Sequence, residues 1–280
     1  MRKTRINQST VRKFEAYLVL QEKSRATVEK YVRDASAFAE YTGDAEITKE
    51  TVIAYKEHLM KNHAVRSVNS YLASLNSLFA FLNRADLKVK SIKLQRQIFY
   101  PEDRELTREE YRRLCKAAAD SQNERLHLML QTICGTGIRV SELQFVTVEA
   151  ARQGKAVVSL KGKTRSVFIV NELKKKLLSY AGKQNIKTGM IFVTRTGKPL
   201  NRTNIWREMK ALCTAAGVNP QKVFPHNLRH LFARVFYGIE KDIAKLADIL
   251  GHSSINTTRI YIVSTGVEHR RRMENMRLVI

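Results

Sequence analysis

Near the end of the chain "TTRIY" places Tyr261 nine residues after His252 of "LGHSS". Upstream, "PHNLRH" opens at Pro225 and sets His226, Arg229 and His230 within about one helical turn, because residues three and four apart share a face. Further back, "TGIRVSEL" puts Arg139 just after a glycine break with Glu142 three residues on, and "LKGKTRSV" offers Lys161 and Lys163. Arginine stays protonated and presents a fork that matches phosphate oxygens. Histidine moves protons near neutral pH, and a phenol becomes a nucleophile once its proton is taken. Such a set suits the transfer of a phosphate ester onto a side chain. Taken singly, each member reads as a solvated or capping residue, and Tyr261 as a packing tyrosine.

Composition favours an anionic partner. Lys+Arg 50 against Asp+Glu 26 gives a formal charge of +24. Residues 1–100 hold 18 basic and 10 acidic side chains, so an excess remains in each half. A basic excess spread over globular segments suggests a long polyanion gripped from two sides. Charge alone also accommodates RNA, an acidic protein or membrane surface, or a soluble basic surface with no partner. No apolar run approaches the roughly 20 residues of a membrane span, and "MRKTRINQST" lacks the apolar stretch of a secretory signal, which implies a cytoplasmic, nucleoid-associated protein without membrane contact. Cys115, Cys134 and Cys213 are far apart and form no CxxC pair, so neither a disulfide framework nor a cysteine zinc site is expected. With no Walker loop and no GxGxxG, no nucleotide cofactor is expected either.

Two kinds of element must carry these residues. Val28, Tyr31, Val32, Ala35, Phe38 and Ala39 recur on one helix face in residues 25–41. Residues 10–20, 48–61 and 66–83 repeat the pattern, which makes residues 1–92 a compact helical bundle. Residues 93–106 lose periodicity and read as a linker, ending where Thr107 and Glu110 form a capping box. The remainder, 107–280, is mixed. A helix over "RLHLMLQTIC" breaks at Gly135 and Gly137 and resumes at Ser141, "KAVVSL" and "RSVFIV" form a hairpin around "KGKT", and "MIFV" reads as a third strand. Helices follow over "RTNIWREMKALCTAAG", "PHNLRHLFARVFYG" and "DIAKLADILGH". The fold class is therefore mainly α with a small β-sheet: an N-terminal bundle and a mixed α/β second domain.

The order TGxR…E, hairpin lysine, HxLRH, LGH and a late tyrosine resembles the tyrosine recombinases, or phage integrases, and within them the small two-domain Xer-like and transposon-integrase members. The resemblance covers nearly the whole chain. It implies a catalytic domain of the DNA breaking-rejoining type and gives Arg139, Lys161, His226, Arg229, His252 and Tyr261 the catalytic roles. It gives the N-terminal bundle the role of binding core-site DNA. The partners it implies are double-stranded DNA with paired recombination sites and further copies of the chain, in a tetramer. Because the chain begins directly at the bundle, the extra arm-site domain of larger phage integrases is not expected, which favours a simple recombination site. Two other readings stay open: a DNA-binding accessory protein with an inert site, and a nicking-closing topoisomerase.

Physical chemistry supports the same roles. Arg139 and Arg229 would clamp the non-bridging oxygens as charge develops on them. Forming phenolate at pH 7 costs about 4 kcal/mol for a group with a pKa near 10, so Tyr261 needs help. His226 is the expected base, His252 a donor to a phosphate oxygen, and Lys161 the acid for the departing 5′ hydroxyl, with Lys163 second because the hairpin loop is one residue short of the common GKGxKxR form. The product is a 3′ phosphotyrosine that another 5′ hydroxyl can reseal, with no ATP and no metal. His226 and His230 share the spacing of a zinc pair, but the glutamate of HExxH is missing and Arg229 would repel a cation. Glu142 is expected to hold Arg139, and His230 to be core or support. Arg25, Lys30, Arg66 and Asn69, near helix starts in the bundle, are candidate DNA contacts. In the tail, residues 262–280, Met273, Met276 and Ile280 share a helix face, and the resemblance implies docking on a neighbouring protomer, against packing on its own domain.

Overall fold

A computed structural model of the chain describes residues 5–94, 102–160, 162–194, 196–262 and 266–276. It divides into two compact units, Met1–Arg96 and Gln97–Ile280.

The first unit contains α1 (Gln8–Leu20), α2 (Arg25–Thr42), α3 (Lys49–Asn62) and α4 (Val65–Phe81). Each helix turns an apolar stripe inward, so Phe14, Leu18, Phe38, Val52, Leu72, Leu75 and Phe79 form one buried core. Asn7 caps α1 by accepting from the Thr10 N–H, and Thr48 caps α3 through Thr51. Burial of Asp34 on α2 demands partners. Lys30 supplies an ion pair, the Ser74 hydroxyl donates across 2.7 Å, and α2 is thereby tied to α4.

The second unit contains α5 (Arg108–Asp120), α6 (Glu124–Thr136), a 3₁₀ turn (Val140–Phe145) and α7 (Val148–Gln153). After these come β1 (Lys155–Leu160), β2 (Lys163–Phe168), α8 (Asn171–Lys183) and α9 (Arg202–Ala216). Last are α10 (Pro225–Glu240), α11 (Ile243–Leu250), α12 (Ile255–Ile262) and α13 (Gly266–Asn275). The Thr107–Glu110 capping box at the start of α5 is formed in both directions. A core built on Leu114, Met129, Leu130, Ile133, Leu177, Phe192 and Leu228 lies under the helices, and a smaller cluster of Ala233, Leu246, Leu250 and Tyr261 joins α10 to α11 and α12. Strands β1 and β2 pair antiparallel from Lys155 opposite Phe168 to Leu160 opposite Lys163, so the connection is two residues, Lys161 and Gly162, the latter at φ +72°.

Three expectations need correction. "MIFV" adds no strand: Met190 and Val193 make only isolated bridges to Thr147 and Pro199, because the segment crosses those residues once and leaves without a ladder. Gly135 does not break α6, which runs on to Thr136. The break comes at Gly137, in the left-handed region at φ +66°, where an added Cβ would stand 2.5 Å from the Phe232 ring. Beyond it the chain resumes as a 3₁₀ turn from Val140, not as an α-helix from Ser141. Gly217 and Gly251 end α9 and α11 in the left-handed conformation, as their positions in the sequence suggest.

Candidate active site

Arg139 follows the Gly137 turn, and Glu142 immediately holds it. The Glu142 carboxylate accepts from the Arg139 N–H at 2.8 Å and from its guanidinium at 2.8 Å. The same carboxylate receives both terminal nitrogens of Arg165 from β2, at 2.9 and 2.8 Å. Burial acts to raise the Glu142 pKa, but Arg165 and then Arg139 outweigh it and hold the carboxyl at about 2. Glu142 is therefore an anion fixed between two cations, and the Arg139 side chain keeps 39% of its surface open.

α10 starts on Pro225, whose missing N–H costs nothing at a first helical position. One turn then delivers His226, Arg229 and His230. Arg229 is 1% exposed. It donates to the carbonyls of Gly137 and of Leu250 (2.7 Å), and to Nε2 of His252 at 3.0 Å. Its Nε is buried without a partner. Burial, and after it the neighbouring Arg139, pull its pKa down to about 10, which still leaves it charged at pH 7.

His252 follows the left-handed Gly251, so its ring returns toward α10. Because a guanidinium only donates, Nε2 carries the lone pair, and Nδ1–H donates to Thr258 Oγ1 at 2.9 Å. The His252 nitrogen nearest Arg229 is thus an acceptor in this geometry.

Tyr261, on α12, is 4% exposed and enclosed by three imidazoles. Its ring centroid lies 5.3 Å from His226, 5.1 Å from His230 and 5.3 Å from His252. Its hydroxyl oxygen lies within hydrogen-bond distance of Nε2 of His226, at 3.3 Å, and close enough to Arg229 to favour the charged guanidinium. His230 donates through Nε2 to the Ile260 carbonyl at 3.2 Å, which fixes α12. Burial, followed by the charges of Arg229 and Arg139, lowers the His226 pKa below 6.5 and brings that of His252 to about 4; burial alone dominates for His230, also near 4. With their pKa values lowered, all three rings favour the neutral form at pH 7, in which an imidazole nitrogen has a lone pair to accept a proton.

The structure thus gathers Arg139, His226, Arg229, His252 and Tyr261 from four separate stretches of chain. Lys161 lies outside the described residues, and Lys163 is placed only by its backbone at the start of β2. Of the four bundle candidates, Arg25 is exposed and pairs with Glu29 at 2.8 Å, and Arg66 is exposed. Lys30 and Asn69 have internal partners instead. Lys30 serves Asp34, and the Asn69 amide closes two bonds with the Ile92 backbone, at 2.9 and 2.7 Å. Arg165 and Thr258 were not singled out by sequence. The alternation of β2 could have found Arg165, which shares a strand face with buried Val167. Among the described residues no cluster of three or more His, Cys, Asp or Glu side chains could hold a metal, and no helix is long and apolar enough to cross a membrane.

Comparison with known proteins adds the deciding match. The model of the phage integrase family covers residues 104–266, more than half of the chain, and that of the phage integrase N-terminal SAM-like domain covers residues 11–86. The chain belongs to the phage integrase family of tyrosine-type site-specific recombinases. Two full-length relatives are tyrosine recombinases XerA. The one from Pyrococcus furiosus is 28% identical, over 100% of this chain and 98% of its own length, and the one from Thermococcus kodakarensis is 30% identical, over 94% and 93%. Among solved structures, a lambda integrase tetramer bound to a Holliday junction shares the fold, with a TM-score of 0.74 at 19% identity, over 90% of this chain and 76% of that one. Full-length likeness to recombinases does not favour the accessory-protein or topoisomerase readings of this integrase-family chain.

Proposed function

We propose that this recombinase cuts and rejoins duplex DNA through a 3′ phosphotyrosine on Tyr261, acting as a tetramer on paired sites. The observation that carries the proposal is the Tyr261 hydroxyl 3.3 Å from a neutral His226 and beside the Arg229 guanidinium. His226 takes the phenol proton as the oxygen attacks phosphorus, and Arg139 and Arg229 stabilise the charge that develops on the non-bridging oxygens. The P–O5′ bond breaks, and a hairpin lysine, Lys161 with Lys163 second, protonates the departing 5′ oxygen. Balance is complete with one ester exchanged for another, so bond energy is retained and a second 5′ hydroxyl reverses the step. An anion entering the site favours a proton on Nε2 of His252, which then becomes the donor expected of it.

The N-terminal unit, residues 1–92, binds core-site DNA, with the linker at 93–106 and the catalytic domain at 107–280. Arg25 and Arg66 are the stronger of the four bundle contacts, because Lys30 and Asn69 are engaged within the unit. Support for a tetramer comes from the lambda integrase assembly and from α13, whose Met273 is exposed together with the following Met276, leaving an apolar face for a neighbouring copy. Ile280, the third member of that face, lies outside the described residues.

The test uses nicked duplexes recovered from a random-sequence library by capture of protein-linked product. The protein should form a covalent adduct mapping to Tyr261, and Tyr261→Phe should form none while still binding the duplex. Full adduct yield from Tyr261→Phe would overturn the assignment.

A further inference from the structure

Among the described residues of the hairpin, Arg165 reaches into the arginine–histidine corner. It is only 13% exposed, and it uses three of its nitrogens. Two terminal N–H groups meet the two oxygens of Glu142 in a fork, and Nε donates to the Ile249 carbonyl at 3.2 Å. Its stem lies against Gly251, where an added Cβ would fall 2.5 Å from Arg165 Cδ. Arg139 converges on the same two residues: it shares the Glu142 carboxylate and directs a nitrogen to the Gly251 carbonyl at 3.5 Å. Gly251 immediately precedes His252, and Ile249 lies two residues before that glycine. A hairpin of two strands has little stability alone, so its position depends on what it is tied to.

We propose that Arg165 is a positioning residue that locks the β1–β2 hairpin to the Arg139–Glu142 pair and the end of α11. Its fork sets the reach of the loop lysine toward the leaving 5′ oxygen. The planar, bidentate geometry is the working feature, which an ammonium on a flexible stem does not reproduce. The proposal rests on the reading above that a hairpin lysine protonates that oxygen, so the experiment separates the two.

Single-turnover cleavage is measured on the selected nicked duplex and on the same duplex with sulfur replacing the bridging 5′ oxygen at the cleaved phosphate. A thiolate leaves without being protonated, so this substrate does not need the acid. Arg165→Lys should bind both duplexes as the parent does and cleave the oxygen substrate at least tenfold more slowly. On the sulfur substrate it should come within about threefold of the parent. Lys161→Ala and Lys163→Ala are run in parallel. If one of them is rescued by sulfur and Arg165→Lys is slowed equally on both substrates, Arg165 acts only on the Arg139 clamp and the proposal fails. If neither lysine variant shows sulfur rescue, the lysine reading fails first, and the hairpin-reach proposal falls with it. Normal cleavage by Arg165→Lys also overturns it. Thermal melting of Arg165→Lys and Arg165→Gln controls for loss of fold, and the sulfur-to-oxygen ratio is a readout that general destabilisation does not move.

Discussion

Arg229 donates to Nε2 of His252 across 3.0 Å, and a guanidinium has no lone pair with which to reverse that bond. The partner fixes the tautomer, and Thr258 receives the proton that remains on Nδ1. Nitrogen-15 spectra of the free protein at pH 7 should therefore show His252 protonated at Nδ1 alone. Thr258→Val leaves a buried N–H without an acceptor, a loss of about 1–3 kcal/mol. Denaturant titration should reveal that loss, and cleavage should slow by roughly tenfold if about 1.4 kcal/mol of it is felt at the transition state.

Acidity should affect stability and chemistry in the same direction. Burial depresses His226, and it brings His230 and His252 to about 4. Between about pH 4 and 6.5 these rings hold fewer protons in the folded chain than in the unfolded one. Their contribution is complete above pH 6.5 and is lost as pH falls toward 4, so the melting temperature should decline across that window. On the proposal that neutral His226 takes the phenol proton, the acid limb of single-turnover cleavage should lie below pH 6.5. A limb centred above 7 would count against His226 as the base.

Gly137 combines a left-handed backbone, a carbonyl that accepts from Arg229 and contact with Phe232. Gly137→Ala should cost about 1–2 kcal/mol from the backbone alone, with the Phe232 collision added. Urea unfolding measures the sum. A variant as stable as the parent would show that the turn can relax.

Much of this site was legible in the residues. Arg229, His226 and His230 follow from one helical turn after Pro225, and Tyr261 from its distance beyond His252, because local spacing carries those relations. The inward strand face of Arg165 was within reach of the alternation of β2, but its partner was not, because a β-strand meeting the carboxylate of a distant 3₁₀ turn leaves no local signature. Asn69 was a candidate DNA contact for a similar reason, its partner Ile92 lying on another segment, whereas the i,i+4 spacing of Lys30 and Asp34 did leave a local sign of pairing. The expected strand at "MIFV" failed because an apolar run specifies burial, which Ile191 and Phe192 satisfy, without specifying a ladder.

The tail offers a separate test. Replacing both Met273 and Met276 by serine removes apolar surface that is already exposed, so the melting temperature should hardly change. Duplex binding should be retained, and strand exchange between two sites should fall at least tenfold. Undiminished exchange, scored by product length on a gel, would mean that α13 does not dock on a neighbour through these residues.

With Arg229 at 1% and Tyr261 at 4% exposure, the reactive oxygen and one of its two cations are shut away from solvent. What stays within reach of solvent is Arg139, so of the two cations it is the one an arriving anion meets first.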